Sequence, residues 1–261
     1  MNSKASIKLI NQASSEGWMR QLAFFHLLKY KFNNSCLYNY RSRMSEIAGM
    51  LNVSERTLYT YLNFLRSKKL VFTHANNLML VSILKYTTRK KTTIKIDDTN
   101  SVFDIETLLY AKVIEQHGRR IGFLRLIKKF ESGEQFKSKL TGTPFKPSIS
   151  MRCIAKLLKI SECKASKVIK NLNRLQVIKT TNQKPQLISY NFTRLEYVKD
   201  YPGYLFNSGK YLYRQFGQII DFLHFPIYLK SISIKEYKKY KSLLCFKRCY
   251  ENCKPLIINN I

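Results

Sequence analysis

The sequence predicts a mainly α chain with short β-hairpins, an α+β fold made of two tandem copies of one unit and a basic, aromatic-rich C-terminal region. Three observations predict it. Residues 44–71 recur without a gap as residues 151–178. In each copy apolar residues at helical spacing give way to short β-branched runs around polar turns. Beyond residue 195 the chain turns to Tyr, Phe, Lys and Ile punctuated by Pro202, Gly203, Gly209, Gly217 and Pro226. The boundaries this predicts are 1–97, 98–194 and a helical extension over 195–261.

The first copy reads MSEIAGMLNVSERTLYTYLNFLRSKKLV and the second MRCIAKLLKISECKASKVIKNLNRLQVI. Met44/Met151, Ile47/Ile154, Ala48/Ala155, Leu51/Leu158, Ser54/Ser161, Glu55/Glu162 and Leu65/Leu172 are identical. Met50/Leu157, Val53/Ile160, Leu62/Ile169, Leu70/Val177 and Val71/Ile178 are conservative exchanges. A fixed internal period is the mark of one structural unit used twice.

Taken in order, residues 1–14 are polar and expected to fray. Residues 18–32 are rich in apolar side chains and predict a leading helix, broken at Asn33-Asn34-Ser35. Ile47, Ala48 and Leu51 mark one face of a short helix, Ala48 being small where a second helix crosses. Asn52 and Val53 turn the chain. Ser54 caps the next helix, with Glu55 in its first turn, and Leu58, Leu62 and Leu65 make its buried stripe. The second copy repeats this with Ile154, Ala155, Leu158, Ile160, Ser161, Ala165, Ile169 and Leu172. Residues 70–72 and 78–83 flank a polar turn and predict a hairpin. The connector 87–100 carries Arg89-Lys90-Lys91, and its β-branched residues would allow an extra strand. Ser101-Val102-Phe103-Asp104 is a capping signal for a helix to about Gln116. Gly118 then separates that helix from a basic one over 119–130, and 131–147 reads as a loop. After the second helix pair, 177–178 and 187–190 predict a second hairpin, ending near Phe192.

The order apolar-Ala-x-x-Leu-x-[Val/Ile]-Ser-Glu, followed by a hairpin, resembles the winged helix-turn-helix family of bacterial and phage DNA-binding proteins. The resemblance covers each repeat, its hairpin and a leading helix. It implies two tandem winged helix-turn-helix modules, with the second helix of each pair facing DNA. If Leu58, Leu62 and Leu65 face inward, Arg56, Thr57, Tyr59, Thr60 and Asn63 face outward. The corresponding second-copy positions are Cys163, Lys164, Ser166, Lys167 and Lys170, with Asn171 beside them and Lys184 in the second wing. Arg and Asn can read base edges, whereas Lys suits phosphate. The architecture is also similar to plasmid replication initiators, and a regulator of a mobile element is an equal expectation. The alternative is a virion or complex component whose winged helices contact protein.

Composition agrees with a nucleic-acid partner. The chain has 46 Lys+Arg against 16 Asp+Glu, a net charge of +30, spread along its length. Such a surplus seeks a polyanion, and duplex DNA supplies one whose counterions are released on binding. No apolar run is long enough to span a membrane and no signal peptide opens the chain, so the expected location is cytoplasmic. The similarity to initiators, in which one module mediates pairing, would also allow self-association. Cys36, Cys153, Cys163, Cys245, Cys249 and Cys253 are expected to be reduced thiols. Cys245, Cys249 and Cys253 could share a helix face, with His224 the nearest fourth ligand, but the spacing is wider than a zinc site prefers. The aromatic and basic C-terminal residues could stack on bases or form a core; their apolar density favours a core. No phosphate-binding loop or deaminase motif occurs, the histidines His26, His74, His117 and His224 are scattered, and Asp97-Asp98 lies in a linker. No enzymatic activity, cofactor, metal or small-molecule substrate is therefore expected.

Overall fold

The computed structural model describes residues 2–32, 36–82, 91–131, 144–182, 186–190, 204–208, 211–215 and 217–228. It is a mixed α and β structure with small antiparallel sheets. The chain divides into two compact units, Met1–Ile114 with Ala155–Val177, and Glu115–Ile154 with Ile178–Ile261. The dividing line passes through the second repeat.

The first unit opens with strand β1 (Asn2–Ser6) and helix α1 (Ile7–Glu16), where the sequence suggested a frayed end. Leu9, Ile10 and Ala13 are buried, and Ser6 caps the helix by accepting from the Leu9 N–H. Gly17 ends it in the left-handed conformation at φ 78. Strand β1 pairs with β5 (Lys91–Lys95), the strand that the β-branched connector allowed. Helix α2 (Met19–Lys31) is buried at Met19 and at every residue of 22–28. A helix apolar on all sides belongs at the centre of its unit. Strand β2 (Cys36–Leu37), helix α3 (Met44–Met50), helix α4 (Glu55–Ser67), strand β3 (Val71–His74) and strand β4 (Asn77–Leu80) follow. The three strands form a sheet in the order β2-β4-β3. The expected hairpin is there, with His74 paired to Asn77 across a two-residue turn.

The second repeat begins with α5 (Val102–Glu131), one continuous helix of 30 residues where two were expected. Its start is the reciprocal cap foreseen: the Ser101 N–H and hydroxyl donate to the Asp104 carboxylate, and the Asp104 N–H donates to Ser101 Oγ. Gly118 does not break the helix. A Cβ there would come within 2.9 Å of both Pro147 and Ile227 side chains, so glycine permits close packing. Short strand β6 (Pro144–Phe145) occupies part of the supposed loop, and β7 (Ser148–Ile149) follows directly after it. Helices α6 (Met151–Leu158) and α7 (Glu162–Arg174) then lead into β8 (Ile178–Asn182).

The repeat is kept in the backbone. Ser54 and Ser161 cap α4 and α7, accepting from the Thr57 and Lys164 N–H. Asn52 and its counterpart Lys159 are left-handed, at φ 51 and 54. Each is followed by the same closing bond, Val53 N–H to the Ala48 carbonyl and Ile160 N–H to the Ala155 carbonyl. Lys69 and Gln176 repeat the pattern at φ 56 and 53, with Leu70 N–H bonded to Leu65 and Val177 N–H to Leu172.

The second hairpin departs from expectation. Strand β9 (Gln186–Tyr190) does not pair with β8. The partner of β8 is β12 (Gln218–Phe222), which also pairs with β7, giving the order β7-β12-β8. This is the order of the first sheet, and Ile178 pairs with Phe222 as Val71 pairs with Leu80. Strand β12 fits because it sets Ile220 and Phe222 at buried positions. The hairpin turn of the first copy is thus replaced in the second by residues 183–217. Within them β9 joins β10 (Tyr204–Ser208) and β11 (Tyr211–Gln215) in a separate sheet, β10-β11-β9. Strand β13 (Ile227–Tyr228) pairs with β6. The region expected to be helical therefore contributes β10 to β13 among its described residues. Cys245, Cys249 and Cys253 lie outside the described residues. No helix among the described residues is long and apolar enough to cross a membrane.

Candidate nucleic-acid interface

Helix α4 buries Leu58, Leu62 and Leu65 and leaves Arg56, Tyr59, Thr60 and Asn63 exposed. Tyr59 is 47% accessible, high for a large aromatic side chain. Thr57 is half-buried, and its hydroxyl shares a 2.8 Å hydrogen bond with that of Ser54. The Thr60 hydroxyl donates back to the Arg56 carbonyl, so its oxygen remains the outward group. On another side α4 packs on aromatic rings, Tyr61 edge-on to Phe24 at 5.0 Å and Phe64 at 5.9 Å from Trp18. Lys68 closes that side, 2.6 Å from Glu16 and above both Trp18 and Phe64.

At the C-terminal end of α4 four polar side chains meet. One arm of Arg66 donates to Asn63 Oδ1 at 2.7 Å and another donates to the Tyr40 hydroxyl at 2.8 Å. The guanidinium lies 5.7 Å from the Tyr40 ring centre. The same phenolic oxygen accepts from Arg41 Nε at 3.4 Å. Tyr40, Arg41, Asn63 and Arg66 are thereby linked in one set. Neither Arg66, Arg41 nor Tyr40 was picked out from the sequence. Arg66 could have been, three residues beyond Asn63 on the same helix. Tyr40 could not, since it precedes the repeat and reaches Arg66 only through the fold.

Helix α7 buries Ala165, Val168, Ile169 and Leu172. Cys163, Lys167 and Lys170 are exposed and Ser166 is half-buried. Lys164 is less available than expected. Its Nζ is 2.6 Å from the carboxylate of Glu106, which is 1% exposed, and 5.8 Å from the Tyr110 ring. Burial, then the Glu106 charge, push the Tyr110 hydroxyl upward.

Asn171 requires correction as a DNA contact. It is 8% exposed and turned to α5, where its amide donates to Asp104 at 2.9 Å and Thr107 at 3.1 Å. Its Oδ1 accepts from Arg174 Nε, and Arg174 also pairs with Asp104. Burial pushes the Asp104 carboxyl up, but bonds from Asn171 and Ser101 and the Arg174 charge outweigh it and hold it below its ordinary value. Asn171 stands where the first copy has Phe64, so a polar cluster replaces the aromatic packing. Lys184 lies outside the described residues.

The side chains of Arg56, Lys167 and Lys170 make no hydrogen bond or ion pair with another described residue. Lys159, close by in sequence, is engaged, donating to the Ser15 carbonyl at 3.1 Å. The outward set of α4 therefore mixes a guanidinium, an amide, a hydroxyl and a phenol, whereas α7 offers two ammonium groups. Cys163, a free exposed thiol, sits where the first copy has Arg56. Elsewhere Cys153 Sγ lies 3.7 Å from His117 Nε2, and burial, then Arg120, hold that imidazole below its ordinary pKa. Among the described residues no three His, Cys, Asp or Glu side chains are grouped to hold a metal ion. No protein-family model, curated protein or solved structure matches the chain.

Proposed function

We propose that this chain is a double-stranded DNA-binding protein with two winged helix-turn-helix modules, serving replication initiation or transcription regulation on a plasmid or phage. The observation that carries the proposal is the duplication. The same caps and left-handed turns recur at α4 and α7, and the two three-stranded sheets β2-β4-β3 and β7-β12-β8 share one strand order. Each of these helices keeps polar or basic outward positions while burying its apolar stripe. In this reading β3 and β4 are the first wing, β8 and β12 are the second, and residues 183–217 interrupt the second wing. The surplus of 46 basic over 16 acidic residues supports a polyanionic partner.

The division of labour follows from the side chains. Arg56 and Asn63 carry base-reading geometry, while Lys167 and Lys170 are point charges suited to phosphate. The test is a gel-shift titration of the full chain with random-sequence duplex at low ionic strength, followed by selection of bound fragments. Retardation that added salt reverses, and a recovered site with two unlike halves, are the expected results. A folded protein that fails to retard duplex at low salt would overturn the proposal and favour a protein-binding role.

A further inference from the structure

Asn63 is not a freely rotating amide. Arginine has donors only, so the end of the Asn63 amide that meets Arg66 must be the oxygen. Arg66 in turn is anchored, because a second arm donates to Tyr40, whose ring is 3% exposed. One Oδ1 lone pair is thus filled, the amide orientation is set, and the Nδ2 hydrogens face away from Arg66. Tyr40 lies outside the repeated segment, and the second copy has Asn173 in place of Arg66. The device therefore belongs to the first copy alone.

We propose that Arg66 and Tyr40 are positioning residues that fix the Asn63 amide for base readout, with adenine as the base it takes. This rests on the DNA-binding function proposed above. An amide held with Nδ2 forward and one Oδ1 lone pair spare presents a donor beside an acceptor. Adenine offers the matching pair in the major groove, N7 to accept and N6–H to donate. Asn63 and Arg66 act as one unit: the first touches the base, the second decides which end of the amide leads.

The experiment compares base-preference profiles, by selection from random duplex, for wild type, Asn63→Ala, Asn63→Asp, Tyr40→Phe and Arg66→Ala. Thermal unfolding of each accompanies the profiles. Discrimination for adenine at one position should fall about tenfold in Asn63→Ala, the loss of one good side-chain–base pairing. It should fall at the same position in Tyr40→Phe and Arg66→Ala. Asn63→Asp keeps a partner for Arg66 but exchanges the donor for an acceptor, so preference there should move to cytosine, whose N4–H donates. Unchanged profiles in Tyr40→Phe and Arg66→Ala would overturn the positioning role. So would an Arg66→Ala variant that only flattens the salt dependence, since Arg66 would then be a phosphate contact. If wild type itself retards no duplex, the function falls and this inference with it, a result that the gel shift separates from the others.

Discussion

Lys69 and Gln176 hold the left-handed backbone that glycine adopts at no steric cost, and both are exposed. A left-handed L-residue costs roughly 1–2 kcal/mol, partly offset because glycine loses more entropy on folding. Lys69→Gly and Gln176→Gly should each stabilise the fold by about 0.5 kcal/mol, read as a higher denaturant midpoint at constant slope. A lower midpoint would show that those side chains hold more than the turn. His26 makes a second residue-scale prediction. Burial, and then Lys29, lower its pKa to about 3. The unfolded chain therefore binds a proton near pH 6.5 that the folded chain refuses. Stability should be flat above that pH and fall as the solution is acidified towards 3. Between pH 6.5 and 5, above the carboxylate range, wild type should lose about 1.5 kcal/mol more than His26→Gln. Equal losses in denaturant titrations at the two pH values would place the sensitivity elsewhere. Single residues were legible in the sequence where their partners are near in the chain. Ser54, Ser161 and the Ser101/Asp104 cap were read correctly because all the atoms involved lie within one turn. Asn171 was grouped with the outward positions because it lies beside Lys170, while Asp104 and Thr107, which satisfy it, come from another helix.

At the scale of elements the same distinction holds. The stripe of Leu58, Leu62 and Leu65 is periodic, so α4 and its inward face were legible, as was the hairpin β3–β4 with its two-residue turn. Strand β12 was not, because its pairing with β8 skips residues 183–217 and no local pattern reports that closure. Nor was β1, whose polar residues become a strand only against β5. Helix α5 is the sharpest case. Glycine in mid-helix costs up to about 1 kcal/mol relative to alanine, which made Gly118 look like a break. The fold keeps it because Pro147 and Ile227 approach to 2.9 Å from where a Cβ would be. The Ile227 methyl can yield, but the Pro147 ring is rigid. Gly118→Ala should therefore destabilise in spite of its helix propensity, an overpacking cost of about 1–3 kcal/mol exceeding the gain. Thermal unfolding would decide it, and a higher Tm would mean that the neighbours move aside at little cost.

For the molecule as a whole, total charge was legible in the sequence and its distribution was not. Many of the acidic side chains are taken up locally. Lys31 pairs with Asp98, Arg43 with Glu46, Lys68 with Glu16, Arg119 with Glu115, Lys146 with Asp221, Lys164 with Glu106 and Arg174 with Asp104. These pairs cancel nearby, and the net +30 resides on cations such as Arg56, Lys167 and Lys170 that have no such partner among the described residues. Under the proposed function, affinity for duplex DNA should accordingly fall steeply with salt, with a log–log slope of about −0.9 per phosphate neutralised. Lys167→Ala and Lys170→Ala should each weaken binding to all sequences alike and make that slope shallower by about one unit. Lys164→Ala should behave differently, although sequence spacing alone groups it with them. Its charge is already balanced, so the slope should barely move, while the stranded Glu106 carboxylate lowers the unfolding temperature. Titrations of the three variants across a range of salt concentrations separate these outcomes. A Lys164→Ala slope as shallow as that of Lys167→Ala would mean that DNA draws the ammonium away from Glu106, and that the second copy engages phosphate with three cations on α7.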